Sequence, residues 1–192
     1  VTVLESQYKQ DPTNTVLLTK ALELSLEIGD LELSRRFVKM IEENKPYSKK
    51  DASLIARYYY INQDVPKSYK SLSYVDESIK TKDENTVKYF ELTSDLGWYL
   101  QRNEDAALAS KHLLEINKAR LVDYERISFV YQKSDPKLAV NAIKRAYQEY
   151  KLSYLFYSYA NSAINNKNYK ELNEVVQSID VSSPLQKEAL FW

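Results

Sequence analysis

The stretch Asp11–Pro46, DPTNTVLLTKALELSLEIGDLELSRRFVKMIEENKP, restricts what this chain can become more than any other feature. Leu18, Ala21, Leu22 and Ser25 recur at the spacing of one helix face, Gly29-Asp30 interrupts the run, and Leu31, Ser34, Phe37, Val38 and Ile41 resume it before Pro46. The pattern is that of a helical hairpin. Its apolar stripes are small in the middle (Ala21, Ser25, Ser34) and large at the edges, so two helices can approach closely while each keeps a face for a neighbour. One hairpin cannot bury both faces, so the pattern demands stacked copies.

Comparable units follow. Ser48-Lys49-Lys50-Asp51 fits a capping box for a helix over about 50–61 that turns Leu54, Ile55, Ala56 and Tyr59 inward. Asn62-Gln63-Asp64 turns the chain, and Pro66 begins a helix expected to run through Ser68, Leu72, Val75 and Ile79. In the third unit Phe90, Thr93, Gly97 and Leu100 face Ala106, Ala109, Leu113 and Ile116. A partner helix is expected to pass near Ala109 against the bare backbone of Gly97. Leu121, Ile127 and Val130 lead to Asp135-Pro136 and a helix carrying Ala139, Ala142, Ile143 and Ala146 inward. Last, Leu155, Phe156, Ala160 and Ala163 precede Leu172, Val175, Val176 and Ile179. Hairpins are therefore expected at about 12–46, 48–82, 86–117, 120–150 and 152–180, in one solenoid over 1–192 with partial helices at both ends. Leu22, Ala56, Gly97, Ile127 and Ala160 are taken as equivalent, at separations of 34, 41, 30 and 33 residues, which makes the repeats degenerate.

Two glycines, five prolines and 44% hydrophobic residues suit an all-α protein and leave too few turn glycines for a sheet. The 27 basic residues balance the 27 acidic ones, which argues against a nucleic-acid partner. Locally the charge alternates, acidic over 1–32, 83–116 and 171–192 and basic over 33–82 and 117–170, as solvated helix faces or as a patterned docking surface. Cysteine is absent, so the redox compartment stays open. No apolar run approaches the roughly 20 residues of a membrane span, so no membrane contact is expected of this piece. Both ends read as interrupted repeats, the expectation being a fragment of a longer protein.

No catalytic group is expected. His112 is the single histidine, without a cysteine to share a metal, and reads as a partly exposed packing residue. Glu42-Glu43, Asp83-Glu84 and Glu104-Asp105 are sequence neighbours that point about 100° apart on a helix and cannot flank one bond. Phosphate loop, nucleophile elbow and zincin motifs are missing. The chain is read as a non-enzyme with no cofactor and no metal.

The 34-residue spacing from Pro12 to Pro46 and the small–large–Gly-Asp–small–large–Pro order resemble the tetratricopeptide repeats, which implies a right-handed α-solenoid of about five degenerate hairpins and a protein partner. In that family the first helix of each hairpin lines a concave groove. Transferred residue by residue, the resemblance implies a binding face of Glu23, Arg57, Tyr60, Ser94, Trp98, Gln101, Tyr124, Ser128, Tyr131, Tyr154, Tyr157 and Asn161. Seventeen tyrosines make such a face aromatic, suited to stacking against a peptide or a sugar ring, although a tyrosine with its ring packed and its hydroxyl wet explains the same residues. Tyr58-Tyr59-Tyr60 points three ways, so at least one ring must face solvent or another hairpin.

Between Tyr89 and Ile179, the LGWYLQ segment around Trp98, Asp123-Tyr124-Glu125-Arg126, and Asp135-Pro136 before the Ala139–Ala146 helix resemble the helical region of the PelB-type outer-membrane proteins that export an exopolysaccharide. That resemblance implies a periplasmic scaffold ahead of an outer-membrane β-barrel. The scaffold would recruit a polysaccharide deacetylase/hydrolase and help guide the polymer. A cytoplasmic interaction scaffold unrelated to polysaccharide is the alternative expectation.

Overall fold

The computed structural model describes residues 3, 6, 8, 10, 14–75, 83–165, 167, 169–177 and 179. Ten helices follow one another among them: α1 Thr15–Glu27, α2 Leu31–Glu42, α3 Lys49–Ile61, α4 Val65–Leu72, α5 Glu84–Tyr99, α6 Asn103–Glu115, α7 Leu121–Tyr131, α8 Pro136–Tyr150, α9 Ser153–Asn165 and α10 Tyr169–Gln177. The expectation of an all-α repeat fold holds. Val3, Ser6, Tyr8 and Gln10 are helical as well, whereas the helix expected after Pro184 falls outside the described residues. Two compact units divide the chain, Val1–Ile116 and Asn117–Trp192.

In the first unit α1 pairs with α2, α3 with α4 and α5 with α6, and the first helices of successive hairpins pack side by side, α1 on α3 and α3 on α5. Leu18, Leu22, Phe37, Val38, Ile55, Ala56, Leu72, Leu96 and Leu113 fill the interior. The three hairpin turns share one geometry. Gly29, Gln63 and Gln101 adopt left-handed backbone, with φ of 76°, 61° and 60°. Behind each, the next residue's N–H returns to a carbonyl five residues earlier: Asp30 to Ser25, Asp64 to Tyr59 and Arg102 to Gly97, at 3.0, 2.9 and 2.8 Å. This Schellman closure satisfies the carbonyls that a helix end leaves open. Asp30 and Asp64 then cap the second helix, their carboxylates accepting the N–H groups of Leu33 and Lys67.

The turns also fix the register. They make Ser25, Tyr59 and Gly97 equivalent, at separations of 34 and 38 residues, so Ser94 rather than Gly97 corresponds to Leu22 and Ala56. The equivalence expected for the third hairpin is three residues out because small residues occur at both positions.

Helix crossings sit at these equivalent places. In the first hairpin Ser34 Oγ lies 2.9 Å from Ser25 Oγ and 2.8 Å from the Asp30 carbonyl. In the third, a Cβ placed on Gly97 would stand 3.4 Å from Ala106 Cβ and 3.4 Å from the Tyr69 ring. The close approach to Gly97 is therefore real, but its partner is Ala106, one turn before the expected Ala109. Beside it Ser94 and Ser110 share a buried hydroxyl–hydroxyl bond of 2.7 Å.

The second hairpin corrects another expectation. α4 stops at Leu72 and does not run through Val75, because Tyr74 leaves the helix to accept the Tyr47 N–H at 2.8 Å and Val75 forms a single parallel bridge with Tyr47. Ile79 lies outside the described residues. Ser48 caps α3 as expected, its Oγ accepting the Asp51 N–H at 3.0 Å. The Asp51 carboxylate reaches back to that hydroxyl at 2.6 Å.

In the second unit α7 pairs with α8, α8 packs on α9 and α9 on α10. Alanines carry α8 close to its neighbours: Ala139, Ala142 and Ala146 are buried against a core of Ile127, Ile143, Tyr147, Leu155, Phe156, Tyr159 and Ala160. Ile179 is buried as expected, and the side chains of Leu172 and Val175 lie outside those described. Asp135 caps α8 ahead of Pro136, and Lys151 ends it in left-handed backbone. On α7, Ile127 is buried, while Leu121 and Val130, expected inward, are only half-buried. Asp123 and Tyr124 occupy the interior instead. Asp123 is 0% exposed and accepts the Arg120 N–H at 2.8 Å and the Arg120 Nε at 2.9 Å, with Arg126 Nη1 at 3.9 Å. A carboxylate so enclosed is tolerable only because donors surround it.

Candidate functional site

A repeat of helix pairs offers its first helices as a recurring face. In the first unit that face spans α1, α3 and α5. Lys50 of α3 bridges to Glu23 of α1 at 2.7 Å, with both side chains about one-third exposed. Thr19 of α1 hydrogen-bonds Asp51 of α3 nearby. Sequence reasoning places Glu23 on this face and misses Lys50, although its position in the first turn of α3 could have given it. Arg57 and Tyr60 project from α3, the tyrosine 60% exposed. Trp98 of α5 is half-buried at the position equivalent to Tyr60, and Gln101 is exposed in the turn that follows.

Ser94 does not belong to this face. It is buried, with its hydroxyl against Ser110, and the residue equivalent to Glu23 and Arg57 is the half-buried Asp95. The three-residue register error explains the misplacement. Of the Tyr58-Tyr59-Tyr60 run, Tyr58 is buried, Tyr59 is half-buried and Tyr60 faces water, which meets the geometric expectation.

In the second unit the corresponding residues come from α7 and α9. Tyr154 of α9 is 46% exposed and its hydroxyl donates to Glu125 of α7 at 2.7 Å, linking the first helices of two hairpins as Lys50–Glu23 does in the first unit. Ser128, Tyr131 and Tyr157 are half-buried and Asn161 is exposed. Tyr124 is 3% exposed: its ring packs inside the hairpin and its hydroxyl donates to Glu149 of α8 at 2.9 Å. It holds α7 to α8 rather than offering a ring to a ligand.

Tyrosine hydroxyls meeting carboxylates of another helix recur through both units. Besides Tyr124 and Tyr154, Tyr59 donates to Glu42 at 2.9 Å and Tyr69 to Asp105 at 3.0 Å, while Tyr89 donates to the Leu72 carbonyl at 3.0 Å. Burial, then the bond to Asp105, pushes Tyr69 up to about 12. Burial and Glu149 do the same to Tyr124, and the bond to Glu125 followed by burial raises Tyr154 to about 12. These phenols remain protonated donors at any physiological pH. Part of the tyrosine content is thereby a set of interhelical clamps, and Arg57, Tyr60, Gln101, Tyr154 and Asn161 are the transferred positions left open to a partner.

His112 stacks on Phe90, ring centroids 4.7 Å apart, with Nδ1 3.4 Å from Glu115. It packs as the sequence suggests. Among the described residues no group of three or more His, Cys, Asp or Glu is arranged to hold a metal, and no helix is long and apolar enough to cross a membrane.

A family model described as a tetratricopeptide repeat matches residues 39–192. No curated protein matches the chain.

Proposed function

Because the chain belongs to the tetratricopeptide-repeat family, we propose that it is a non-catalytic scaffold whose first-helix faces hold a protein partner, within a periplasmic system of the Pel exopolysaccharide type. The observation that carries the scaffold reading is the exposed set Arg57 and Tyr60 of α3 with Gln101 in the turn after α5: aromatic area, amide and guanidinium donors on a helical support. Arginine and tyrosine are the residue types on which interface energy concentrates. The finer reading is supported by the LGWYLQ, Asp123-Tyr124-Glu125-Arg126 and Asp135-Pro136 segments, and it makes the chain part of an outer-membrane protein that recruits a polysaccharide deacetylase/hydrolase and guides polymer toward a β-barrel. Tyr154 and Tyr157 then offer rings to a passing sugar. An assembly scaffold unrelated to polysaccharide is the second reading, favoured by a family match that specifies helix pairs and nothing about polymer.

Calorimetric titration of the chain with a purified deacetylase/hydrolase of such a system tests both. Saturable binding, weakened about tenfold or more by Arg57→Ala with Tyr60→Ala, is expected; about tenfold is 1.4 kcal/mol. Absence of binding by a chain with intact helical circular dichroism overturns the Pel-type reading. Titration with size-fractionated polymer separates direct glycan binding, which must strengthen with polymer length, from partner binding alone.

A further inference from the structure

The first unit carries a cleft whose lining includes none of the exposed residues Arg57, Tyr60 and Gln101. It lies where the end of α2, the segment after it, α3 and α4 converge, encloses about 190 Å³, and is lined by Glu42, Lys45, Tyr47, Tyr59, Lys67, Lys70, Ser71 and Tyr74. Its floor is rigid. Tyr47 is buried and packs edge-on to Tyr74 at 5.9 Å, and the Tyr47 N–H to Tyr74 carbonyl bond ties the two segments together. Its rim is cationic. Lys45 Nζ stands 3.9 Å from the Tyr74 ring centroid and Lys67 Nζ 5.6 Å from that of Tyr59. Lys67 also meets Asp64, at 3.1 Å, an exposed pair worth little. Lys45 and Lys70 form no ion pair among the described residues.

Among the described lining residues three ammonium groups thus face one carboxylate, Glu42, and that carboxylate already accepts the Tyr59 hydroxyl. Lys45, Lys67 and Lys70 are all exposed, so an entering anion gains from three cations gathered at one place beside the ring floor, an attraction that added salt screens. Lysine ammoniums are point donors on flexible stems, and ring faces beside them suit the methylenes of an acidic side chain. At about 30 Å³ per water, the space takes one such side chain with a few waters.

We propose that this cleft binds a glutamate or aspartate side chain of an acidic segment in the partner protein, with Lys45 and Lys70 as the principal charge contacts and Lys67 as a third. The proposal rests on the reading of the chain as a protein-binding scaffold, and gives that scaffold a second contact, made by residues other than Arg57, Tyr60 and Gln101 and selective for acidic sequence.

Fluorescence anisotropy with the full chain tests it. The probe is a fluorescein-labelled peptide of alternating glutamate and glycine; its glutamine counterpart is the control. The glutamate peptide is expected to bind at least tenfold more tightly at low salt, and Lys45→Gln with Lys70→Gln to weaken it at least fivefold. Lys20→Gln with Lys39→Gln, two exposed lysines outside the cleft, should leave it unchanged. Equal binding of the two peptides, or binding that ignores the cleft variant, overturns the proposal. Displacement of the peptide by millimolar phosphate but not by acetate reassigns the cleft to phosphate and overturns it too. The scaffold reading fails separately: with a folded partner, loss of binding in Arg57→Ala, Tyr60→Ala alone overturns the cleft and keeps the scaffold. Peptide binding through the cleft with no folded partner engaged removes the scaffold instead.

Discussion

Hairpins α1–α2 and α5–α6 bring their helices together at the same register position with different chemistry. In α1–α2 two serine hydroxyls meet at the crossing and return to backbone carbonyls; in α5–α6 the crossing is glycine on alanine, and the serine pair has moved one turn away, to Ser94 and Ser110. The turns differ in the same sense. The first is closed by a glycine, the third by a glutamine held at positive φ. What these two hairpins share is small volume at the crossing, where the second hairpin carries Tyr59, while all three keep a left-handed residue at the turn, and more than one residue type satisfies each requirement.

The largest effect on both hairpins is expected from alkali. Tyr69 clamps α4 to Asp105 of α6 and Tyr59 clamps α3 to Glu42 of α2, and burial and the carboxylate hold both phenols above their ordinary value, Tyr69 at about 12. A raised folded value means that the protonated form is favoured by folding, so the stabilisation is complete below about pH 10, the unfolded value, and disappears as pH rises through about 12. The melting temperature should be flat from pH 7 to 9 and fall steeply between 10 and 12, with the drop diminished in Tyr69→Phe. A flat profile to pH 12 contradicts the clamps.

Gly97→Leu comes next. The crossing has no room for a branched side chain between Ala106 and Tyr69, and overpacking of this kind costs about 1–3 kcal/mol, readable by urea denaturation. Replacing both serines of the other crossing by alanine removes donor and acceptor together and should cost under about 1 kcal/mol.

The turns invert the comparison. A methyl group on Gly29 would meet open space, so Gly29→Ala suffers only from the left-handed backbone and should lose about 1–2 kcal/mol. Gln101→Gly relieves the same strain and should gain about 0.5–1 kcal/mol, the unfolded chain's added freedom offsetting part of it. The smallest change is expected for Gly97→Ala. A methyl there reaches ordinary contact with Ala106 and Tyr69, and the better helix propensity should raise stability by up to about 1 kcal/mol. A loss above that range would mean that the crossing is tighter than its contacts indicate.

Much of the architecture is legible in the sequence. Helix pairing, the aspartate cap at Asp135, the turn at Gly29 and the packing of His112 all follow from local rules that operate within a few residues, whereas the caps at Asp30 and Asp64 are added by the structure. The candidate face is legible in part. Arg57, Tyr60 and Gln101 stand where a partner can reach them, while Ser94 and Tyr124, expected outward, are buried, and Lys50 joins the face without having been expected there. The buried pair has one cause: a small residue or a tyrosine is compatible with either side of a helix, and only the neighbouring helix decides which side is filled.

By itself the sequence determined that this chain forms helix pairs, because periodic burial, capping and turn chemistry are properties of consecutive residues. Tertiary structure alone decided the partners: Ala106 rather than Ala109 against Gly97, carboxylates for the tyrosine hydroxyls, a buried Asp123, and three lysines gathered around Tyr47 and Tyr74. Such contacts join residues distant in the chain, and their distances depend on helix rotation and register, to which a hydrophobic pattern is nearly indifferent.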